Sequence, residues 1–203
     1  MNWGKWTKHY QALKINPNRI CHDGIFNELE WGKVVKKILF VMKEVNDWEN
    51  GDLKSLFIDG PKYQMWHTIS RWAAGILHNF PEYEEIDKWS IKKEVIRKIA
   101  SINLIKTSGG SHSNMNVINA YAYTDKELLL EQIDEIQPNI IIACGTFDSV
   151  IWLLGLEINP DNPYEKPIFD KKRNIWVVPW RHPGRVNNRK TYNELKKMIS
   201  KIA

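Results

Sequence analysis

"NIIIACGTFDSVIWLLG", residues 139–155, reads as a buried strand that stops at a glycine and continues at once as a helix. Residues 139–145 are rich in β-branched side chains and show no polar alternation, the pattern of a strand covered on both faces. Residues 146–155 then carry apolar groups at helical spacing and end on a second glycine, as helices often do. A doubly covered strand running directly into a helix is half of a parallel βαβ unit. Three further runs have the same character: "KILFVMK" (37–43), "SINLIK" (101–106) and "NIWVVPW" (174–180). Helical patterns lie around them at 62–80, at 125–136, with Asp125 as the expected cap and Pro138 just beyond, and at 191–202. "KPIFDKKRNIWVVP" predicts a hairpin into the last strand. The first thirty-odd residues predict a helical layer, with "NPN" and "HDG" as turns. The expected fold class is α/β: three layers, α/β/α, around a central, mainly parallel four-stranded sheet with right-handed crossovers.

A chain of 203 residues fits one domain with a full core. It divides into a helical layer (1–35), the core (36–190) and a C-terminal helix (191–203). Hydrophobic residues at 43% and charged ones at 26% describe an ordinary globular protein, and ten tryptophans serve mainly that core. No apolar stretch approaches bilayer length, and "MNWGKWTKHYQ" lacks the apolar centre of a signal peptide, so a cytoplasmic chain with no membrane partner is expected. Cys21 and Cys144 are far apart and too few for a cysteine-only zinc or iron–sulfur site. The net charge of +5 is unevenly spread. Residues 171–203 hold ten Lys or Arg against Glu194 alone, a segment charge of +9, which leaves −4 for the first 170. Such an end suggests a polyanion partner, although a solvated basic helix has the same composition.

In a parallel sheet the carboxyl ends of the strands share one edge, where open α/β sheets place their ligand-handling groups. Four loops converge there: "KEVNDWENGD" (43–52), "KTSGGSHSN" (106–114), "CGTFDS" (144–149) and "RHPGRVNN" (181–188). They carry Glu44, Asn46, Asp47, His112 and His182, with Asn103 at the end of its strand. Each has a plainer reading. Glu44 suits a catalytic carboxylate or a surface acid. Asn103 suits a reader of polar edges or a core hydrogen bond, because an uncompensated buried amide is costly. His112 suits substrate contact or simple loop polarity, and Asp148 a first-turn acid favoured by the helix dipole. The Ser-Gly-Gly turn at Ser108 could cradle phosphate through backbone N–H groups, but no Lys-Ser/Thr follows to make a P-loop.

Taken in order, "VMKEVND", "INLIK", "IIACG" and "HPGRV" resemble the motifs of the uracil-DNA glycosylase superfamily across roughly residues 36–190. That family's first motif usually reads Gly-Gln-Asp-Pro-Tyr, Gly-Glu-Ala-Pro-Gly or Gly-Ile-Asn-Pro-Gly. Here Lys43 takes the glycine slot, Glu44 the second and Val45 the third, which is closest to the branch with Glu second. Asn46 and Asp47 depart from its proline and from its glycine or tyrosine, and the four cysteines of the iron–sulfur members are missing. The resemblance implies that Glu44 stabilises the sugar cation and aligns a water, with Asp47 as the alternative carboxylate. It implies that His182 donates to the pyrimidine O2, that Asn103 and Asn46 contact the base, and that Phe57, rather than Trp48, stacks on it. Arg185 or Val186 would fill the space left by the flipped base. Arg185, Arg189 and Lys190 would grip phosphates, with Ser108 and His112 as further DNA contacts. The implied activity is monofunctional excision of a pyrimidine from DNA by a monomer, with no metal or organic cofactor. Uracil is the default base, and Asp47 in place of a bulky tyrosine leaves room for hypermodified cytosines of viral DNA, a role in defence. A non-catalytic DNA-binding relative, or a small-nucleotide hydrolase or binder on the same fold, are the competing readings.

Overall fold

The computed structural model describes residues 2–46, 48–110 and 113–202. In chain order the strands are β1 (Gly24–Ile25), β2 (Ile38–Met42), β3 (Val45–Asn46), β4 (Ala100–Asn103), β5 (Ser108–Gly109), β6 (Ile140–Cys144), β7 (Ile168–Asp170) and β8 (Ile175–Trp180). The helices are α1 (Trp3–Ala12), α2 (Glu28–Trp31), α3 (Gln64–Leu77), α4 (Tyr83–Ile86), α5 (Trp89–Val95), α6 (Met115–Thr124), α7 (Lys126–Ile136), α8 (Phe147–Leu154) and α9 (Asn188–Ile199).

The four expected strands are all present and mutually parallel, in the order β4-β2-β6-β8. The sheet itself is larger than expected. It is a mixed sheet of six strands among the described residues, because β1 adds antiparallel to β4 at one edge and β7 antiparallel to β8 at the other. The second addition is the anticipated hairpin. The first is two residues long, too short to leave any periodic signal.

Residues alternate across the sheet. Leu39, Val41, Ile141, Ala143 and Val177 join one core cluster with side chains from α1, α6, α7 and α8. Ile38, Phe40, Met42, Ile142, Cys144 and Val178 join the other with side chains from α3, α5 and α9. Both faces are therefore sealed, which explains the unbroken apolar runs, each buried aliphatic side chain contributing about 1.5–3 kcal/mol.

Two local expectations change. The 101–106 run ends as a strand at Asn103, whose backbone N–H donates to the Asp23 carboxylate at 2.7 Å. Asp125 stands before α7, but its side chain does not cap it. Its buried carboxylate instead accepts from Tyr10 Oη at 2.9 Å and pairs with His9 Nε2 at 2.8 Å. A tertiary network outcompetes the local cap. Among the described residues no helix is long and apolar enough to cross a membrane.

Among the parallel strands the chain starts in the middle at β2, moves outward to β4, then crosses back past β2 to β6 and on to β8. The reversal creates a switch point between the carboxyl ends of β2 and β6, the place where open α/β sheets form a ligand crevice.

Candidate functional site

Three segments meet at this switch point. Gly145, directly after β6, has φ +69°, and its N–H donates to Trp180 O at 2.8 Å. A β-carbon there would stand 3.3 Å from Lys43 Cε and 3.6 Å from the backbone nitrogen of His182. Glycine is favoured there by the left-handed φ, and a side chain would also press lightly on the Lys43 stem. The next residue, Thr146, turns its hydroxyl to Val41 O at 2.8 Å, tying the start of α8 to β2.

The loop after β8 shapes His182. The Pro183–Gly184 turn brings the Gly184 N–H onto His182 Nδ1 at 3.1 Å. With Nδ1 accepting, the neutral ring carries its hydrogen on Nε2. Crowding by protein atoms, and secondarily the charge of Lys43, push the His182 pKa below the ordinary histidine value. Both effects favour the neutral imidazole, with Nε2–H as its donor, on a residue that is exposed to solvent.

Glu44 lies on the other side of the β2 end. The two-residue ladder pairing Val45 with Ser108 and Asn46 with Gly109 folds the post-β2 loop onto the post-β4 loop. The Glu44 carboxylate then rests on Gly109, where any β-carbon would overlap it. Lys43, rather than Glu44, meets His182. Both Lys43 and Glu44 are half-buried, and among the described residues neither side chain has a hydrogen-bond or ion-pair partner. The two charges are adjacent in sequence but turn to opposite sides of the β2 end, Lys43 over Gly145 and Glu44 over Gly109.

The remaining sequence-predicted residues divide. Asn103 is 4% exposed and hydrogen-bonds to Asp23 through its backbone N–H and, at 3.4 Å, through Nδ2, so the core role is the one it fills. Phe57 is 2% exposed and packs against Phe26 at 4.3 Å and Trp66 at 4.8 Å, so no base stacks on it in this conformation. Trp48 is half-buried and lies over Gly51, where a side chain would overlap its ring. Asn46 is exposed beside Gly109, and Ser108 Oγ accepts from Trp48 N at 3.0 Å. Asp47 and His112 lie outside the described residues.

In the late loop, Arg185 is exposed at φ +57°, a strained conformation for a non-glycine residue. Val186 turns inward against the second core cluster, whereas Arg185 beside it is exposed. Arg189 is bonded to Glu84 and stacked over Tyr83 at 4.6 Å. Arg181 and Lys190 share Glu194, at 2.8 and 3.9 Å.

Beyond Gly145 a cleft of about 490 Å³ opens between α6, α8 and the end of β8, walled by Phe147, Tyr164 and Trp180 with Asn119, Asp148 and Arg181 at its polar parts. Asp148 accepts from Tyr164 Oη at 2.9 Å. Sequence reasoning found neither this cleft nor Lys43. The signal for Lys43 was available: a charge directly ending an apolar strand, next to a second charge of opposite sign. Among the described residues no group of three or more His, Cys, Asp or Glu is arranged to hold a metal ion. Comparison with protein-family models gives no match, and no curated protein is similar in sequence.

Proposed function

We propose that this chain is a monofunctional DNA glycosylase that extrudes a pyrimidine, hydrolyses its N-glycosidic bond and leaves an abasic site. One observation carries the reading: an unpaired carboxylate, Glu44, and a neutral Nε2–H donor, His182, flank the end of β2 at the sheet's switch point. Cleaving the C1′–N1 bond builds positive charge on the sugar and negative charge on the base. Glu44 suits the sugar side, where it stabilises the cation and takes the proton of the water that attacks C1′. His182 suits the base side, where a donor aimed at developing charge often supplies the largest catalytic effect. The target nucleotide must leave the duplex to reach either group. DNA is the partner, with Arg185 at the tip of the late loop as the first contact. No step needs a metal or an organic cofactor, and the protein works as a cytoplasmic monomer.

A refinement is a pyrimidine with a bulky polar 5-substituent such as hypermodified viral cytosine, whose substituent could extend past Gly145 into the neighbouring cleft of about 490 Å³, which Arg181 lines but Glu44 and His182 do not. Incubation with DNAs carrying uracil, thymine mismatches or 5-modified cytosines, followed by hot alkali, tests both. Strand breaks are expected with at least one substrate, and Glu44→Gln slows their appearance about 100-fold or more while DNA affinity stays within about threefold. DNA binding without breaks on any substrate reduces the protein to a non-catalytic binder.

A further inference from the structure

Lys43 Cε and the His182 backbone nitrogen both lie over Gly145, 3.3 and 3.6 Å from where its β-carbon would stand, and the Lys43 charge is felt at His182. The two buried lysines are paired with carboxylates, Lys92 with Asp87 at 2.9 Å and Lys106 with Asp23 at 2.9 Å, whereas the half-buried Lys37 and Lys126 lie against the rings of Trp31 and Trp152. Lys43 has no such partner among the described residues. Its neighbour Glu44 points the opposite way, over Gly109, as successive residues leaving a strand do. Adjacent residues thus deliver a cation to the His182 side and an anion to the other. His182 itself can offer a hydrogen bond but no charge, since Gly184 occupies Nδ1. A cation held against a neutral donor fits one kind of occupant, an oxygen carrying negative charge, because a charge-assisted bond is about twice as strong as a neutral one.

Resting on the glycosylase reading, we propose that Lys43 is a catalytic residue whose ammonium, together with His182 Nε2–H, holds the anionic O2 of the departing pyrimidine. When the C1′–N1 bond breaks, its electron pair stays with the base and spreads through N1 and C2 onto O2. Water supplies the oxygen that closes C1′, and Glu44 receives its proton. The amine of Lys43 forms no bond to the sugar. It lowers the energy of the leaving anion and disfavours the imidazolium form of His182.

Lys43→Met removes the charge at similar length, and Lys43→Arg keeps it. In single-turnover excision the Met variant is expected about 100-fold slower with DNA affinity unchanged, and the Arg variant within about tenfold of the parent. The pH profile supplies a readout that a structural role would not move. A depressed His182 pKa keeps the active neutral form present below the ordinary histidine value, so the acid limb of the parent lies low. Loss of Lys43 raises that pKa, and the limb moves to higher pH. A third measurement needs no DNA: the 5-nitrouracil monoanion, a mimic of the leaving base, is titrated against the His182 imidazole signals by NMR. The parent is expected to bind at least about tenfold more tightly than the Met variant.

Equal excision by the parent and the Met variant overturns the proposal. Borohydride capture of DNA on Lys43 overturns it too, since the amine would then be a nucleophile. If no base is excised from any DNA but nitrouracil binding still depends on Lys43, the anion site stands and the glycosylase reading falls. If nitrouracil binding ignores Lys43, the anion site falls.

Discussion

Lys106 and Asp23 are among the most deeply withdrawn charges of the described residues, with the lysine fully buried. Lys106 Nζ reaches both Asp23 oxygens at 3.0 and 2.9 Å, donates to Asn103 O at 2.8 Å and stands 5.0 Å from the Trp6 ring centre. Burial pulls the lysine's proton affinity down, and Asp23 opposes that loss. Asp23 is further satisfied by Asn103 N and by Gln132 Nε2, both at 2.7 Å. Breaking such a pair leaves a lone buried charge, so Lys106→Met should cost about 3–5 kcal/mol in urea unfolding, and Asp23→Asn added to it should recover part of the loss. A cost below about 1 kcal/mol would mean that water reaches the pair. This network also explains what sequence could say about the site. Glu44 and His182 stood out because each falls in the short loop that follows an apolar strand, in a segment that resembles a known motif. The role of Asn103 stayed open because its partner is 80 residues away, and no local pattern connects them.

The turn between β8 and α9 combines two conflicting requirements. Glycine sits at 184, yet the left-handed conformation falls on Arg185. Glycine at 185 would relieve strain, while the exposed guanidinium would be lost. Arg185→Gly is therefore expected to stabilise the fold by about 0.5–1 kcal/mol, seen as a higher Tm, and at the same time to weaken DNA binding. A lower Tm would show that the arginine has a folding role. Elements whose pattern is set by burial were legible in the same way: the four parallel strands and the helices near 64–77, 126–136, 147–154 and 188–199 match the apolar periodicities to within a few residues. Elements made by pairing alone were not. β1, β3 and β5 are two residues each, and their positions follow from what their neighbours offer. The β3–β5 ladder is what sets Glu44 upon Gly109. One of the two site loops was thus fixed by a feature too short to read.

The basic C-terminal segment is continuous in sequence but divided in space. Lys171, Lys172 and Arg173 fall in the turn before β8, at the amino edge of the sheet, whereas Arg181, Arg185, Arg189 and Lys190 follow β8 at the carboxyl edge beside the site. Arg173 is spent on Asp134 and Asp170, at 2.7 and 3.2 Å. The other three, Lys196, Lys197 and Lys201, lie at or just past the far end of α9, so a DNA strand presented to His182 can meet four of these ten cations, three of them already engaged with Glu84 or Glu194. Counterion release then predicts a slope of log K against log salt no steeper than about −4, against about −9 if the entire segment gripped phosphate. Arg185→Gln should flatten the slope by about one unit, and Lys171→Gln with Lys172→Gln should leave it unchanged. Glu194→Gln should steepen it, because two cations are released at once. A slope beyond about −6, or sensitivity to Lys171 and Lys172, would place the DNA across the opposite edge of the sheet, out of reach of Glu44 and His182.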